Sequence, residues 1–119
     1  MTDQIELREN IEDAWSYETT FLRDEWLVTE SFATGQCGVT ALYVQEKLGG
    51  ELFEGWIDNE KNRRHFFNVV NGMLIDLTWK QFPERTPLYH PKVITRSDIL
   101  ANDWFIERYQ NFLNNVNNM

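Results

Sequence analysis

Residues 35–50, "GQCGVTALYVQEKLGG", hold the one thiol of this 119-residue chain, Cys37, at the start of a helix-like run. Packing is the simpler account, since a free cysteine behaves as a small hydrophobe and is often buried. Nucleophilic chemistry is the sharper one. A helix N-terminus offers unpaired N–H groups and a partial positive charge, both of which favour a thiolate. Gly35 and Gly38 add almost no bulk beside the sulfur and leave room for a substrate backbone. An ordinary thiol titrates near about 8.5 and is only a few per cent ionised at neutral pH, so a nucleophile here needs a base.

Two histidines compete for that role. His90 lies in "LYHPK", a proline-flanked loop pattern in which a solvated turn residue is the ordinary outcome. His65 lies in the strand-like run "RHFFNVV" (64–70), joined by Asn71-Gly72 to "MLIDLTW" (73–79). Asn-Gly between two such runs signals a two-residue hairpin. If Val70 pairs with Met73, paired positions sum to 143, so His65 faces Thr78, Phe67 faces Asp76 and Val69 faces Leu74. His65 and Asp76 then share a face, one diagonal step apart, at roughly 7–8 Å between backbones. That spacing suits a carboxylate accepting a hydrogen bond from one imidazole nitrogen while the other points outward. The same face carries Phe67, Val69 and Leu74, which are expected to pack beneath Cys37. Thiol, base and orienter together follow the logic of an activated nucleophile.

Gln36 is a candidate oxyanion donor alongside the Cys37 backbone N–H, or else a surface residue of the first turn. Asn68 falls on the opposite face from His65, which favours a structural role. Trp56 and Trp79 suit a cleft wall or, more simply, the core. One Cys and two His give no metal-ligand spacing, and there is no Gly-rich phosphate loop, so neither metal nor cofactor is expected.

The elements that must position these residues read as follows. Thr2 to Trp15 is a helix, with Asp3 and Glu6 resembling a capping box and Leu7, Ile11, Ala14 and Trp15 forming an apolar stripe. A less regular stretch runs to Thr34, with Trp26 and Leu27 expected in the core. A second helix spans Gly35 to Leu48, carries Cys37, Ala41, Val44 and Leu48 on one stripe, and ends at Gly49-Gly50 as a left-handed cap. Strands follow at 51–57, 64–70 and 73–79, and "PERTPLYHP" is a loop by its prolines. The run "NDWFIERYQNFLNNV" is an amphipathic helix with Asn102 as N-cap and Phe105, Tyr109, Phe112 and Val116 on one side. The tail "NNVNNM" is expected to fray. The order defines an α+β fold, a single domain over residues 1–119.

Composition narrows the function classes. A hydrophobic share of 42%, with 14% aromatic residues, is globular. Eleven basic against nineteen acidic residues give a net charge of −8, a field that repels phosphate backbones and anionic lipid. Neither a nucleic-acid nor a membrane partner is expected. A lone cysteine forms no internal disulfide, the N-terminus shows no signal-peptide pattern, and no apolar run reaches membrane-span length. A cytoplasmic protein is the expectation, with the oligomeric state left open.

At this point the motifs carry a resemblance. "GQCGVTALYVQEKLGGEL", "HFFN" and "NGMLIDLTWKQF" match, in order and spacing, strings close to GQC-x-VTAL-x-VQ, HYWN and IDLT-x-x-QF of the bacterial YunG-like family. "AWSYETT" and Trp26 extend the resemblance over most of residues 13–83. That family is similar to the papain-like and transglutaminase-like superfamily, whose core is a Cys-bearing helix followed by strands with His and Asp. The resemblance implies Cys37 as nucleophile, His65 as base and Asp76 as orienter. "HFFN" in place of HYWN removes a phenol and an indole N–H. The function implied is thiol-dependent hydrolysis or acyl transfer on an amide or ester, of peptidase, amidase or transglutaminase type, on a small-molecule or peptide-like substrate. The competing readings are a binding module that keeps the fold without turnover, and a redox-sensing thiol, which needs Cys37 exposed and no productive histidine contact.

Overall fold

In a computed structural model that describes residues 4–28, 31, 33–57, 63–79 and 88–118, the apolar stripes become the walls of one core. Helix α1 (Gln4–Ala14) buries Leu7, Ile11 and Ala14 against its neighbours. The proposed Asp3 cap lies outside the described residues. Helix α3 (Cys37–Leu48) lies at the centre, with Val39, Ala41, Leu42, Tyr43 and Val44 all buried. The Trp15 indole, just past α1, donates to Thr40 Oγ1 at 2.9 Å and ties the two helices through a buried hydrogen bond. Gly49 and Gly50 end α3 with positive φ angles of 76° and 81°, which glycine adopts without the penalty a Cβ would impose.

Strands β1 (Glu51–Trp56), β2 (Arg64–Val70), β3 (Met73–Ile75) and β4 (Tyr89–Ile94) form an antiparallel sheet in the order β3-β2-β1-β4. The β2–β3 register pairs Val70 with Met73, Val69 with Leu74 and Asn68 with Ile75, as the Asn-Gly turn requires. Asn71 and Gly72 both have positive φ, 52° and 78°, the signature of the primed turn that matches strand twist. Helices α2 (Arg23–Val28), α4 (Arg96–Leu100) and α5 (Asp103–Asn117) complete the α+β architecture of the described residues. Asn102 caps α5 by accepting from Trp104 N–H at 2.8 Å, and Phe105, Tyr109 and Phe112 face inward.

Four expectations need correction. Trp26 and Leu27 do not enter the core: α2 buries none of its residues, and Leu27 is 63% exposed on a two-turn surface helix. The third strand stops at Ile75 rather than Trp79, because Asp76 Oδ1 accepts from the Thr78 N–H and hydroxyl, each at 3.3 Å, and bends the chain. From Tyr89 onward the proline-rich "loop" is strand β4. It tolerates Pro91 because it is an edge strand, bulged where Tyr89 and Lys92 span the step between Trp56 and Glu54. The Asn-rich tail is helical to Asn117, held where Asn115 Nδ2 donates to Ala14 O at 2.9 Å and Asn111 Nδ2 to Glu18 O at 3.0 Å. No helix among the described residues is long and apolar enough to cross a membrane.

Candidate active site

The hairpin sets His65 against Asp76. Imidazole Nε2 lies 2.6 Å from Asp76 Oδ2, with the histidine fully buried and the carboxylate side chain 6% exposed. The other carboxylate oxygen is the one bonded to Thr78, itself buried. One carboxylate thus ends the strand and orients the ring. The imidazole is walled by Phe67, nearly parallel at 6.2 Å, and by Trp79, edge-on at 5.9 Å.

Burial pulls the His65 pKa down. The hydrogen bond with Asp76 and the interaction with the nearby Cys37 side chain, with the charges of both groups, outweigh it, and the pKa stands raised from 6.5 to about 9. The ring is therefore an imidazolium at neutral pH, held between a carboxylate and a sulfur. With Nε2 engaged by Asp76, Nδ1 is the ring atom left to serve the thiol.

Cys37 is partly exposed and is the first residue of α3. Two local features fix it there. Gly35 has φ 72° and its carbonyl accepts from Phe21 N–H at 2.9 Å; a Cβ at Gly35 would run into Thr20 Oγ1 and the Leu22 backbone. Gly38 admits the Phe105 ring where a Cβ would stand. The sulfur opens onto a cavity of about 360 Å³ shared with Gly35, Gly38, Phe66 and Phe105.

Gln36 is fully buried and turned to the Ser16–Thr19 turn. Its Nε2 donates to Ser16 O at 3.1 Å, and its Oε1 accepts from Thr19 Oγ1 at 2.7 Å. One amide hydrogen is thereby spent, and the side chain does not cap α3. Asn68 donates to the Ala41 carbonyl at 2.9 Å, the structural role expected of it. His90 stands on the exposed bulge of β4 with φ 53°. Among the described residues no group of three His, Cys, Asp or Glu could hold a metal ion.

The expected packing face is corrected. Phe66 belongs to the core and Asn68 bonds α3, so the even-numbered side of β2 lies on the helix. By strand alternation His65 and Phe67 project from the other side, where Phe67 stacks on Phe53 and Leu74 is 60% exposed. It is the N-terminal end of α3, not its packed flank, that meets the imidazole. Sequence reasoning also passed over Thr78 and Thr19, which hold Asp76 and Gln36. The Asp-x-Thr spacing of an Asx turn signalled the first; nothing local signalled the second.

Fold and site together describe a small α+β protein that gathers one thiol, one buried imidazole and one carboxylate at the start of a central helix. A family model described as "YunG protein" matches residues 3–119, so the match extends through α5, beyond the motifs read from the sequence. The chain is also similar to "Uncharacterized protein YunG" of Bacillus subtilis (strain 168), 31% identical over 100 residues that cover 84% of this chain and 79% of that protein. The chain belongs to the YunG family. No solved structure matches it.

Proposed function

We propose that the protein is a thiol-dependent hydrolase or acyltransferase acting on an amide or ester, with a papain- or transglutaminase-like division of labour. Cys37 is the nucleophile, His65 the general acid and base, and Asp76 the residue that orients and stabilises the imidazolium. The observation that carries this reading is the buried 2.6 Å His65–Asp76 contact on an imidazole whose charged form the Cys37 side chain also favours.

The chemistry follows from those contacts. With its proton on His65, the Cys37 sulfur attacks the carbonyl carbon and forms a C–S bond, driving an electron pair onto the carbonyl oxygen. The oxyanion meets the N-terminal end of α3, where the Cys37 backbone N–H has no intrahelical acceptor. Gln36, the further donor suggested by the sequence, is fully buried and its amide bonds the Ser16–Thr19 turn. As the C–N or C–O bond breaks, the imidazolium gives its proton to the leaving amine or alcohol. His65 then takes a proton from water or an acceptor amine, which attacks the thioester and frees the thiolate, leaving His65 protonated. Asp76 stays ionised throughout. A redox-sensor role is disfavoured by the Cys37–His65 contact, and a pure binding role does not call for a buried, oriented imidazolium.

Incubation with p-nitrophenyl acetate tests the reading. A burst of p-nitrophenol with one acetyl group on Cys37 by mass spectrometry is expected, and the burst should vanish in Cys37→Ser and slow in His65→Gln. Acetylation of Cys37 at the same rate in wild type and His65→Gln would refute it.

A further inference from the structure

The cavity beside Cys37 has rings for walls. Phe66 and Phe105 meet edge-on at 5.7 Å, Phe21 stacks on Phe105 at 4.0 Å, and Trp56 and Leu22 also line it. Contacts behind these walls hold them in place. The Phe21 N–H donates to Gly35 O at 2.9 Å, and the Arg108 guanidinium lies 5.5 Å over the Phe21 ring while its Nε donates to Thr20 O at 3.1 Å. Arg64 serves as wall rather than as a ligand group: it is paired with the buried Glu54 at 3.4 Å and lies 4.7 Å over the Phe66 ring. Gly38 brings the Phe105 ring against the helix backbone one residue from the thiol, because the ring stands where a Cβ would. About 360 Å³ is room for roughly a dozen water-sized groups, enough for one phenyl ring or a branched chain of similar bulk.

Strand β2 decides which half of a substrate enters this space. Phe66 projects from its helix-facing side and His65 from the other, and His65 is not among the described residues that line the cavity. In the proposed reaction His65 gives its proton to the leaving amine or alcohol, so that group lies on the imidazole side. The acyl part, which stays on the sulfur, is then directed to the opposite side, where the Phe66–Phe105 walls begin.

We infer that this cavity is the acyl subsite and that it takes an uncharged aromatic or branched apolar acyl group, with Phe66, Phe105 and Leu22 setting its size. Burying such a group against rings removes apolar surface from water on both partners, and the walls need no reordering to receive it. The α5 helix thereby supplies part of the specificity through Phe105, far along the chain from the Cys37, His65 and Asp76 motifs. The inference rests on the proposed use of Cys37, but it concerns recognition and is tested apart from turnover.

Binding to Cys37→Ser protein removes turnover from the test. Acetamide and 3-phenylpropanamide, both uncharged, are titrated and followed by backbone amide NMR shifts. The phenyl compound should bind at least about tenfold tighter, the low end of what burying a phenylalanine-sized group is worth, and should shift the Gly38 and Phe105 amides. Leu22→Trp in the same background narrows the cavity at a half-buried position outside the core cluster and should remove most of that ratio. Equal affinity for the two amides, no binding of either, shifts that leave Gly38 and Phe105 unmoved, or an unchanged ratio in folded Leu22→Trp would overturn the inference. Acylation of the wild type by p-nitrophenyl 3-phenylpropanoate and p-nitrophenyl acetate, each rate divided by that with N-acetylcysteine, is the second arm, with at least about a tenfold preference expected for the phenyl ester. If the phenyl amide binds as expected but neither ester acylates Cys37, the catalytic reading fails and the apolar binding site stands. If Cys37 acylates but the two esters react alike after that division, the acyl subsite fails and the catalytic reading stands.

Discussion

Raising the pH should unload the His65 site and weaken the fold by an amount the structure bounds. In the folded chain burial opposes the imidazolium, Asp76 and Cys37 favour it, and the balance leaves the pKa at about 9 against 6.5 for an unperturbed histidine. A folded-state value above the unfolded one means that the folded state holds the proton more tightly. The resulting stability is fully present below about 6.5 and disappears as pH rises through about 9. At about 1.4 kcal/mol per pH unit, the gap corresponds to about 3 kcal/mol, a large part of a small domain's stability. Urea unfolding between about pH 6 and pH 10 measures it, with His65→Gln as the reference that lacks the titrating ring. Tyr109 does not confuse this window in the folded state, because burial pushes its pKa up to about 12 and keeps it neutral. The wild type should lose about 3 kcal/mol more than His65→Gln across the range. Parallel loss in the two proteins would refute the charged imidazole held by Asp76.

Asp76→Asn should keep the hairpin, since the Asn71-Gly72 turn does not depend on the carboxylate, yet cost about 1–3 kcal/mol near neutral pH by thermal or urea unfolding. The same variant should lower the His65 pKa, read from its imidazole NMR shifts against pH. Gly38→Ala should destabilise by about 1–3 kcal/mol, because the new Cβ must displace the Phe105 ring. Leu27→Ser should change stability by less than about 0.5 kcal/mol, as α2 buries nothing.

Much of this site was legible because its parts are local. The Asn-Gly turn set the register that brings His65 beside Asp76, and the Ala41–Val44 spacing set the buried side of the helix that Cys37 begins. What escaped was decided at longer range. In "HFFN" all four residues are buried, because β2 is covered on both faces, so alternation could not say which face meets α3. Pro91 hid an edge strand, because a proline rules out only the interior of a sheet. Trp26 and Leu27 carried hydrophobicity but stand on a surface helix that buries none of its residues, and α4 rests on one short capping box between Thr95 and Asp98. Gln36 finds Thr19 across seventeen residues, a pairing that only the folded chain defines.

If Cys37, His65 and Asp76 act as one unit, the reactivity of the thiol depends on the imidazole. Iodoacetamide alkylation of Cys37, timed at neutral pH in wild type, His65→Gln and His90→Ala, tests it most directly. An unassisted thiol is only a few per cent ionised there, so a thiol sharing its proton with His65 should react roughly tenfold faster after allowance for its lower intrinsic nucleophilicity. His65→Gln should remove that factor, and His90→Ala should leave the rate unchanged. Equal rates in wild type and His65→Gln, or slowing in His90→Ala alone, would contradict it.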